Sequence, residues 1–97
     1  MLSESPRGSL ADEASFWRAT SLARGGHTDE ALPAFEEFLG TYRSSPRRGE
    51  AATILGWLLI DAHRPAEAAP LLRGAADDPD AKVRKSARDG LDVLSRP

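Results

Sequence analysis

The chain has no cysteine among its 97 residues, and that absence excludes a disulfide framework, a thiolate metal site and a cysteine nucleophile. Long apolar runs are missing too, because the longest stretch without a charge, residues 51–60, has about half the length of a membrane-spanning helix. The first ten residues lack the basic start and the apolar stretch of a secretory signal. We therefore expect a cytoplasmic protein with no membrane contact.

Motifs that carry catalysis or metal binding are also missing from the sequence. It contains no phosphate-binding glycine loop and no serine nucleophile elbow, and its two histidines, His27 and His63, fall in predicted turns. Asp77, Asp78 and Asp80 lack the glycine and the later glutamate of a calcium-binding loop, so we interpret Asp78 as a helix cap. We expect no enzymatic activity, no metal and no cofactor.

Most of the chain instead has the three- and four-residue apolar spacing of amphipathic helices. The stretch 28–42 has one apolar face, whereas residues 51–62 are apolar nearly all round, as in a helix enclosed by neighbours. Nothing alternates with a period of two, so no strand is predicted. We predict five helices that start near residues 10, 28, 46, 65 and 79, with Ser45 capping the third and Asp78 the fifth.

The two halves of this helical region are copies of each other. A shift of 37 residues brings similar residues together in the pairs Ala14/Ala51, Ala19/Gly56, Leu22/Leu59, Glu30/Glu67, Ala31/Ala68, Pro33/Pro70 and Phe35/Leu72. A duplicated helix–turn–helix unit is typical of solenoid proteins, whose repeats bury their apolar faces by stacking. The small residues in these pairs should let the paired helices approach closely. The two internal prolines, each unfavourable in a helix by itself, together indicate one hairpin used twice.

At these positions the sequence resembles the tetratricopeptide repeat family. The matching residues are Leu55, Gly56, Leu59, Glu67, Ala68, Leu72 and Ala75 in the second unit, and Ala19, Leu22, Gly26, residues 29–32 and Phe35 in the first. The resemblance covers about residues 11–80. It departs from the family pattern in its longer spacing, in Phe38 at a normally small position, and in Ser15 and Ala52 where an aromatic residue is usual.

The resemblance implies an all-α fold, a right-handed α–α superhelix (α-solenoid) made of two helix–turn–helix repeats and a C-terminal capping helix. The repeats are expected at about residues 11–43 and 46–78 and the capping helix at about 79–95. Residues 1–9 are expected to form a flexible leader before a single domain of residues 10–97. The last helix also matches the spacing of a HEAT-repeat helix over a short stretch, but we favour the capping role.

The resemblance further implies a protein-interaction adaptor or scaffold, because in this family the first helices of the pairs line a concave face that holds a partner peptide or helix. Carried over by position, the partner-binding residues are Glu13, Phe16, Thr20, Arg24, Glu50, Thr53, Trp57, Asp61, Lys82 and Lys85. Phe16 and Trp57 are the expected anchors, although Trp57 fits either the core or the groove. Phe16 and Trp17 point about 100° apart, so one of them should be exposed.

Two other functions are compatible with the same sequence. Two repeats are fewer than the three or so usually needed, so self-association through an exposed end is the first alternative, giving a structural oligomerisation module. Nucleic-acid binding is the second, through the basic residues Arg47, Arg48, Arg84, Lys85 and Arg88. It is less favoured, because residues 82–97 contain no aromatic residue to interleave with their cations.

Overall fold

The computed structural model describes residues 9–96, which form five α-helices. They are α1 (Ser9–Arg24), α2 (Thr28–Thr41), α3 (Arg48–Asp61), α4 (Pro65–Ala75) and α5 (Ala81–Ser95). No strand occurs in this part of the chain, so the all-α class is confirmed. Except for Ser9, which begins α1, the predicted leader lies outside the described residues. None of the helices within residues 9–96 is both long and apolar enough to cross a membrane.

The chain divides into two compact units, with the boundary between Arg48 and Gly49. The first unit contains the helical hairpin of α1 and α2. The second contains α4, α5 and all but the first residue of α3.

The interior of the first unit is built from aromatic rings. Phe16 of α1 and Phe35 and Phe38 of α2 have no exposed surface. The ring centroid of Phe16 lies 6.3 Å from that of Phe35 and 5.8 Å from that of Phe38, in edge-to-face arrangements. Such geometry is favourable for aromatic pairs, and each buried ring contributes roughly 1.5–3 kcal/mol through the area removed from water.

In the second unit the backbones of α3 and α5 approach the side chain of Leu72 in α4. A Cβ atom on Gly56 of α3 would lie 2.7 Å from Leu72 Cδ2, and one on Gly90 of α5 would lie 2.8 Å from Leu72 Cδ1. Neither position therefore has space for a larger residue while Leu72 keeps its place. Gly56, one of the small residues expected to allow close packing, thus contacts the Leu72 side chain, and Gly90 makes a second such contact that was not predicted.

The turn between paired helices has the same geometry in both units. Gly26 and His63, which are 37 residues apart, both adopt left-handed backbone conformations, with φ of 82° and 63°. In each turn the N–H of the following residue donates to a helix carbonyl five residues before it, that of Leu22 at 2.9 Å or that of Leu59 at 2.8 Å. These bonds satisfy carbonyls that the helix ends would otherwise leave unpaired.

The two internal prolines also occupy equivalent places. Pro33 is the sixth residue of α2 and Pro70 is the sixth residue of α4, and both helices continue beyond them. The missing N–H of each proline would have bonded the carbonyl of Asp29 or Ala66, and both of these residues are exposed in the first turn of their helix. The prediction that both second helices accommodate a proline is confirmed.

The predicted start of α3 was two residues too early. Ser45 Oγ accepts a hydrogen bond from the N–H of Arg47 at 3.1 Å, and the Ser45 carbonyl accepts one from Arg48 at 3.0 Å. These bonds close a turn over residues 45–48, so the helix begins at Arg48 and not at Pro46. The serine side chain bonds locally as expected, but within this turn.

The cap of α5 was also assigned to the wrong aspartate. The carboxylate of Asp80 accepts from the N–H of Lys82 at 2.8 Å and is the N-cap. Asp78 instead accepts from the N–H of Asp80 at 2.9 Å and so stabilises the preceding turn. Both aspartates can bond the backbone two residues on, and only the path of the chain decides which one precedes the helix.

Candidate functional site

A cluster of interacting side chains surrounds the exposed aromatic residue of the first unit. We call Glu13, Phe16, Trp17 and Arg47 the Trp17 cluster. The indole N–H of Trp17 donates to Glu13 Oε1 at 3.1 Å, and Arg47 Nε donates to Glu13 Oε2 at 3.3 Å. The Arg47 guanidinium lies 5.0 Å from the ring centroid of Trp17 and 5.1 Å from that of Phe16, within cation–π range. These contacts hold the Trp17 ring in one orientation.

The structure corrects the choice of anchor in α1. Phe16, the predicted anchor, has no exposed surface, whereas 41% of Trp17 is exposed. The expectation that one of the two adjacent rings faces outward is confirmed, and that ring belongs to Trp17. Thr20 is also buried, and its hydroxyl donates to the Phe16 carbonyl at 2.9 Å. Phe16 and Thr20 thus lie inside the first unit, whereas Arg24 is exposed at the end of α1.

An open groove lies between α3 and the start of α5 in the second unit. Its volume is about 410 Å³, and its lining residues are Glu50, Thr53, Ile54, Asp80, Lys82, Val83 and Ser86. The residues from α3, like those from α5, are spaced three and four apart and so share one face of their helix. We refer to this feature as the α3–α5 groove.

The groove has an apolar floor and a charged rim. Ile54 is half-buried and Val83 is buried, and the hydroxyl of Thr53 is already satisfied by donating to the Glu50 carbonyl at 2.8 Å. Carboxylates of Glu50 and Asp80 and the ammonium of Lys82 surround this floor. The arrangement suits a segment that places an apolar side chain between charged neighbours.

Trp57 connects α3 to α5 beside this groove. Its ring is half-buried, and its indole N–H lies 3.2 Å from both the carbonyl and the hydroxyl oxygen of Ser86. A Cβ atom on Gly90 would lie 3.5 Å from the Trp57 ring. Since the ring packs between two helices and its N–H is bonded to α5, we assign Trp57 to the support of the groove.

The predicted site residues are thus brought together only in part. Of the predicted residues, Glu50, Thr53 and Lys82 line one groove. Asp61 is exposed at the last position of α3, and Lys85 points to Asp89, with Nζ 3.0 Å from its carboxylate. Neither of these two residues lines the groove.

Sequence reasoning missed four of the lining residues, namely Ile54, Asp80, Val83 and Ser86. The sequence did contain a signal for Ile54. This residue lies 37 residues after Trp17, the exposed member of the aromatic pair, and so occupies the equivalent position in the second repeat. The residues at the start of α5 gave no comparable signal. Their side of the groove depends on where α5 begins and how it packs.

Basic residues considered for nucleic-acid binding are largely engaged within the protein. Arg84 Nη1 donates to the carbonyls of Asp78 and Pro79, both at 2.9 Å, where it ties the turn before α5. Lys85 pairs with Asp89, and Arg47 pairs with Glu13 in the first unit. Three of the five basic residues are therefore engaged in contacts within their own unit.

The two histidines lie at the turns between paired helices, and Glu67 forms an ion pair at the start of α4. His27 and His63 lie in the turns as predicted, and no group of three or more histidine or acidic residues within residues 9–96 could hold a metal ion. The Arg64 guanidinium donates two hydrogen bonds to Glu67 at the start of α4 and holds the pKa of that carboxyl below its ordinary value.

Paired helices with duplicated turns define a helical-repeat protein. The family model for the tetratricopeptide repeat matches residues 16–82, which is more than half of the chain. The chain therefore belongs to the tetratricopeptide repeat family, as its sequence pattern predicted. No curated protein and no solved structure matches it significantly. Tetratricopeptide repeats generally mediate protein–protein interaction or scaffolding and are typically non-catalytic.

Proposed function

We propose that this chain is a protein-interaction adaptor that binds a segment of a partner protein in the α3–α5 groove. The observation that carries this assignment is the convergence of Glu50, Thr53 and Lys82 on one open groove with an apolar floor. Family membership supports protein binding in general, and the groove supplies a specific place for it. No cofactor takes part.

Recognition in this groove combines apolar contact with charge pairing. A side chain of the partner packs on Ile54 and Val83, where burial of apolar area provides the favourable free energy. Lys82 and the carboxylates of Glu50 and Asp80 select neighbouring charges on the partner and fix its direction. Paired charges at such a rim add specificity and association rate more than affinity.

The groove is held open before the partner arrives. Trp57 bonds α5 through Ser86, and Arg84 ties the turn that leads into α5. A groove whose walls are already ordered loses little conformational entropy on binding, so the partner segment bears most of the ordering cost.

Affinity capture from the source cells, with three variants, tests this assignment. Ile54→Arg places a charge on the floor and Lys82→Glu reverses a charge on the rim, so both should release the partner. Arg73→Glu makes a similar charge reversal on an exposed face of α4 and should retain it. Circular dichroism must show equal helicity in all three. If the groove variants capture the same proteins as the wild type, the partner does not bind in this groove.

A further inference from the structure

The described chain exposes two large apolar side chains, Trp17 at 41% and Val93 at 36%. Trp17 is the larger, and it is held in place by Glu13 and Arg47. Because its indole N–H already donates to Glu13, the ring can leave water without creating an unpaired donor. A rigid aromatic side chain of this kind offers about 150–250 Å² of contact area at low entropic cost.

The surroundings of Trp17 and those of the α3–α5 groove have opposite charges. Arg47 lies over Trp17 and the exposed Arg18 follows it in the sequence, with one acidic contact from Glu13. The groove has the reverse composition, with two carboxylates and one ammonium around an apolar floor. Opposite charges placed around apolar patches favour docking of one patch on the other.

The groove also has room for an indole ring and offers it apolar contact. Its volume of about 410 Å³ falls within the range of pockets that take small ligands, roughly 300–1,000 Å³. Ile54 and Val83 provide apolar contact, and the Thr53 hydroxyl is already satisfied. An inserted ring would therefore bury apolar surface without leaving the Thr53 hydroxyl unpaired.

We propose that the Trp17 cluster of one copy docks into the α3–α5 groove of a second copy. The two patches differ, so the contact is head-to-tail, and a dimer keeps one free patch of each kind to which further copies can add. A contact centred on one indole ring, about 150–250 Å², is well below the roughly 1,200 Å² at the lower end of standard interfaces, so we expect a weak and concentration-dependent association.

This self-association uses the same groove as the proposed partner. The two occupants exclude each other, so a partner that binds the groove releases one copy from the next. Self-association is inferred from the exposed Trp17 ring and the charges around it, and it is tested on the purified protein without any partner. Its failure leaves the adaptor function untouched.

Sedimentation velocity over roughly 5–500 µM, the range in which small interfaces associate, gives the first test. The wild type should show a mass that rises with concentration. Trp17→Ala and Ile54→Glu should each raise the dissociation constant at least tenfold and remain monomeric. Val93→Ala removes the other exposed apolar side chain and should behave like the wild type. Helicity and urea midpoints confirm folding, and Lys82→Glu replaces Ile54→Glu if the latter unfolds.

Mixing the two patch variants gives the decisive measurement. The Trp17→Ala variant retains an intact groove, and the Ile54→Glu variant retains an intact Trp17. An equimolar mixture should therefore form dimers and stop there, because each dimer has no second intact pair of patches. The proposal is overturned if the wild type stays monomeric over the whole range or if the mixture of variants stays monomeric. It is also overturned if Trp17→Ala associates like the wild type or if Val93→Ala loses association.

Discussion

In the first unit Phe16, Phe35 and Phe38 fill the hairpin with rings, whereas in the second unit Gly56 brings the backbone of α3 against Leu72. The positions correspond under the 37-residue shift, since Phe35 is equivalent to Leu72. The helix frame is thus preserved while the volume inside it is distributed differently. The interior of a repeat can be filled by large side chains, as in the first unit. It can also be closed by a glycine that lets a neighbouring side chain pack on the helix backbone, as in the second.

The surfaces of the two units also differ at equivalent positions. Trp17 and Ile54 are equivalent residues, but Trp17 stands out from its unit under Arg47, whereas Ile54 lies in the floor of a groove. One unit therefore presents a projecting ring and the other an open depression. The comparison shows that one repeat frame can produce two unlike surfaces from residues at the same position.

Phe16→Ala should have the largest effect, because it removes a ring that contacts two others and has no exposed surface. Deleting such a ring costs about 3–5 kcal/mol of the free energy of unfolding. Trp17→Ala, one residue along the same helix, should cost about 1 kcal/mol because that ring is partly in water. Urea denaturation measures both, and equal losses would contradict an aromatic interior centred on Phe16.

Gly56→Leu should be the next most damaging change, because even a Cβ atom there meets Leu72. Overpacking of this kind costs about 3 kcal/mol and should lower the thermal midpoint by more than about 10 °C. Gly74→Leu is the matched control, since a Cβ atom at Gly74 meets nothing within 4 Å. It should raise the midpoint slightly through better helix propensity. Similar losses in both variants would remove the close-packing account.

Exchanging the residues of the two turns should change the free energy of unfolding by smaller amounts, of opposite sign. His63 adopts the left-handed conformation that Gly26 provides in the other turn, and a non-glycine residue is strained there. His63→Gly should therefore raise the free energy of unfolding by about 0.5–1 kcal/mol, and Gly26→His should lower it by a similar amount. Changes of the same sign in both variants would show that the turns are not equivalent.

Breaking the ion pair at the start of α4 should give the smallest effect. Arg64 pairs with Glu67 in α4, where the equivalent residues of α2 are His27 and Glu30. Arg64→Gln should raise the pKa of Glu67 towards its ordinary value of 4.5, as measured by carboxyl NMR titration. An unchanged titration in that variant would show that Arg64 does not cause the shift.

The same pair predicts a direction for the pH dependence. The pKa of Glu67 is lower in the folded state than in the unfolded state, so the pair stabilises the fold above the unfolded pKa. That contribution is lost as the pH falls through the folded value. Wild type and Glu67→Gln should therefore differ most near neutral pH and converge in acid. A difference that grows in acid would contradict this assignment.

The helical frame was predictable because it depends on spacing along the chain. The positions of Gly56, Ala68 and the two prolines follow from three- and four-residue periodicity and from the 37-residue repeat. Half of the groove was predictable in the same way, through Glu50 and Thr53. On the α5 side only Lys82 was anticipated, through the family resemblance, because the packing of α5 on α3 joins segments that lie far apart in the chain.

The sequence by itself determined the helical class, the duplication and the family, since each depends on residues close together in the chain. Only the tertiary structure decided that Phe16 is buried while Trp17 is exposed, because the rotation of a helix depends on what packs against it. It also decided the role of Trp57, whose hydrogen-bond partner Ser86 lies 29 residues away. Periodicity limits which side chains share a face, and packing between distant segments selects the face that becomes a site.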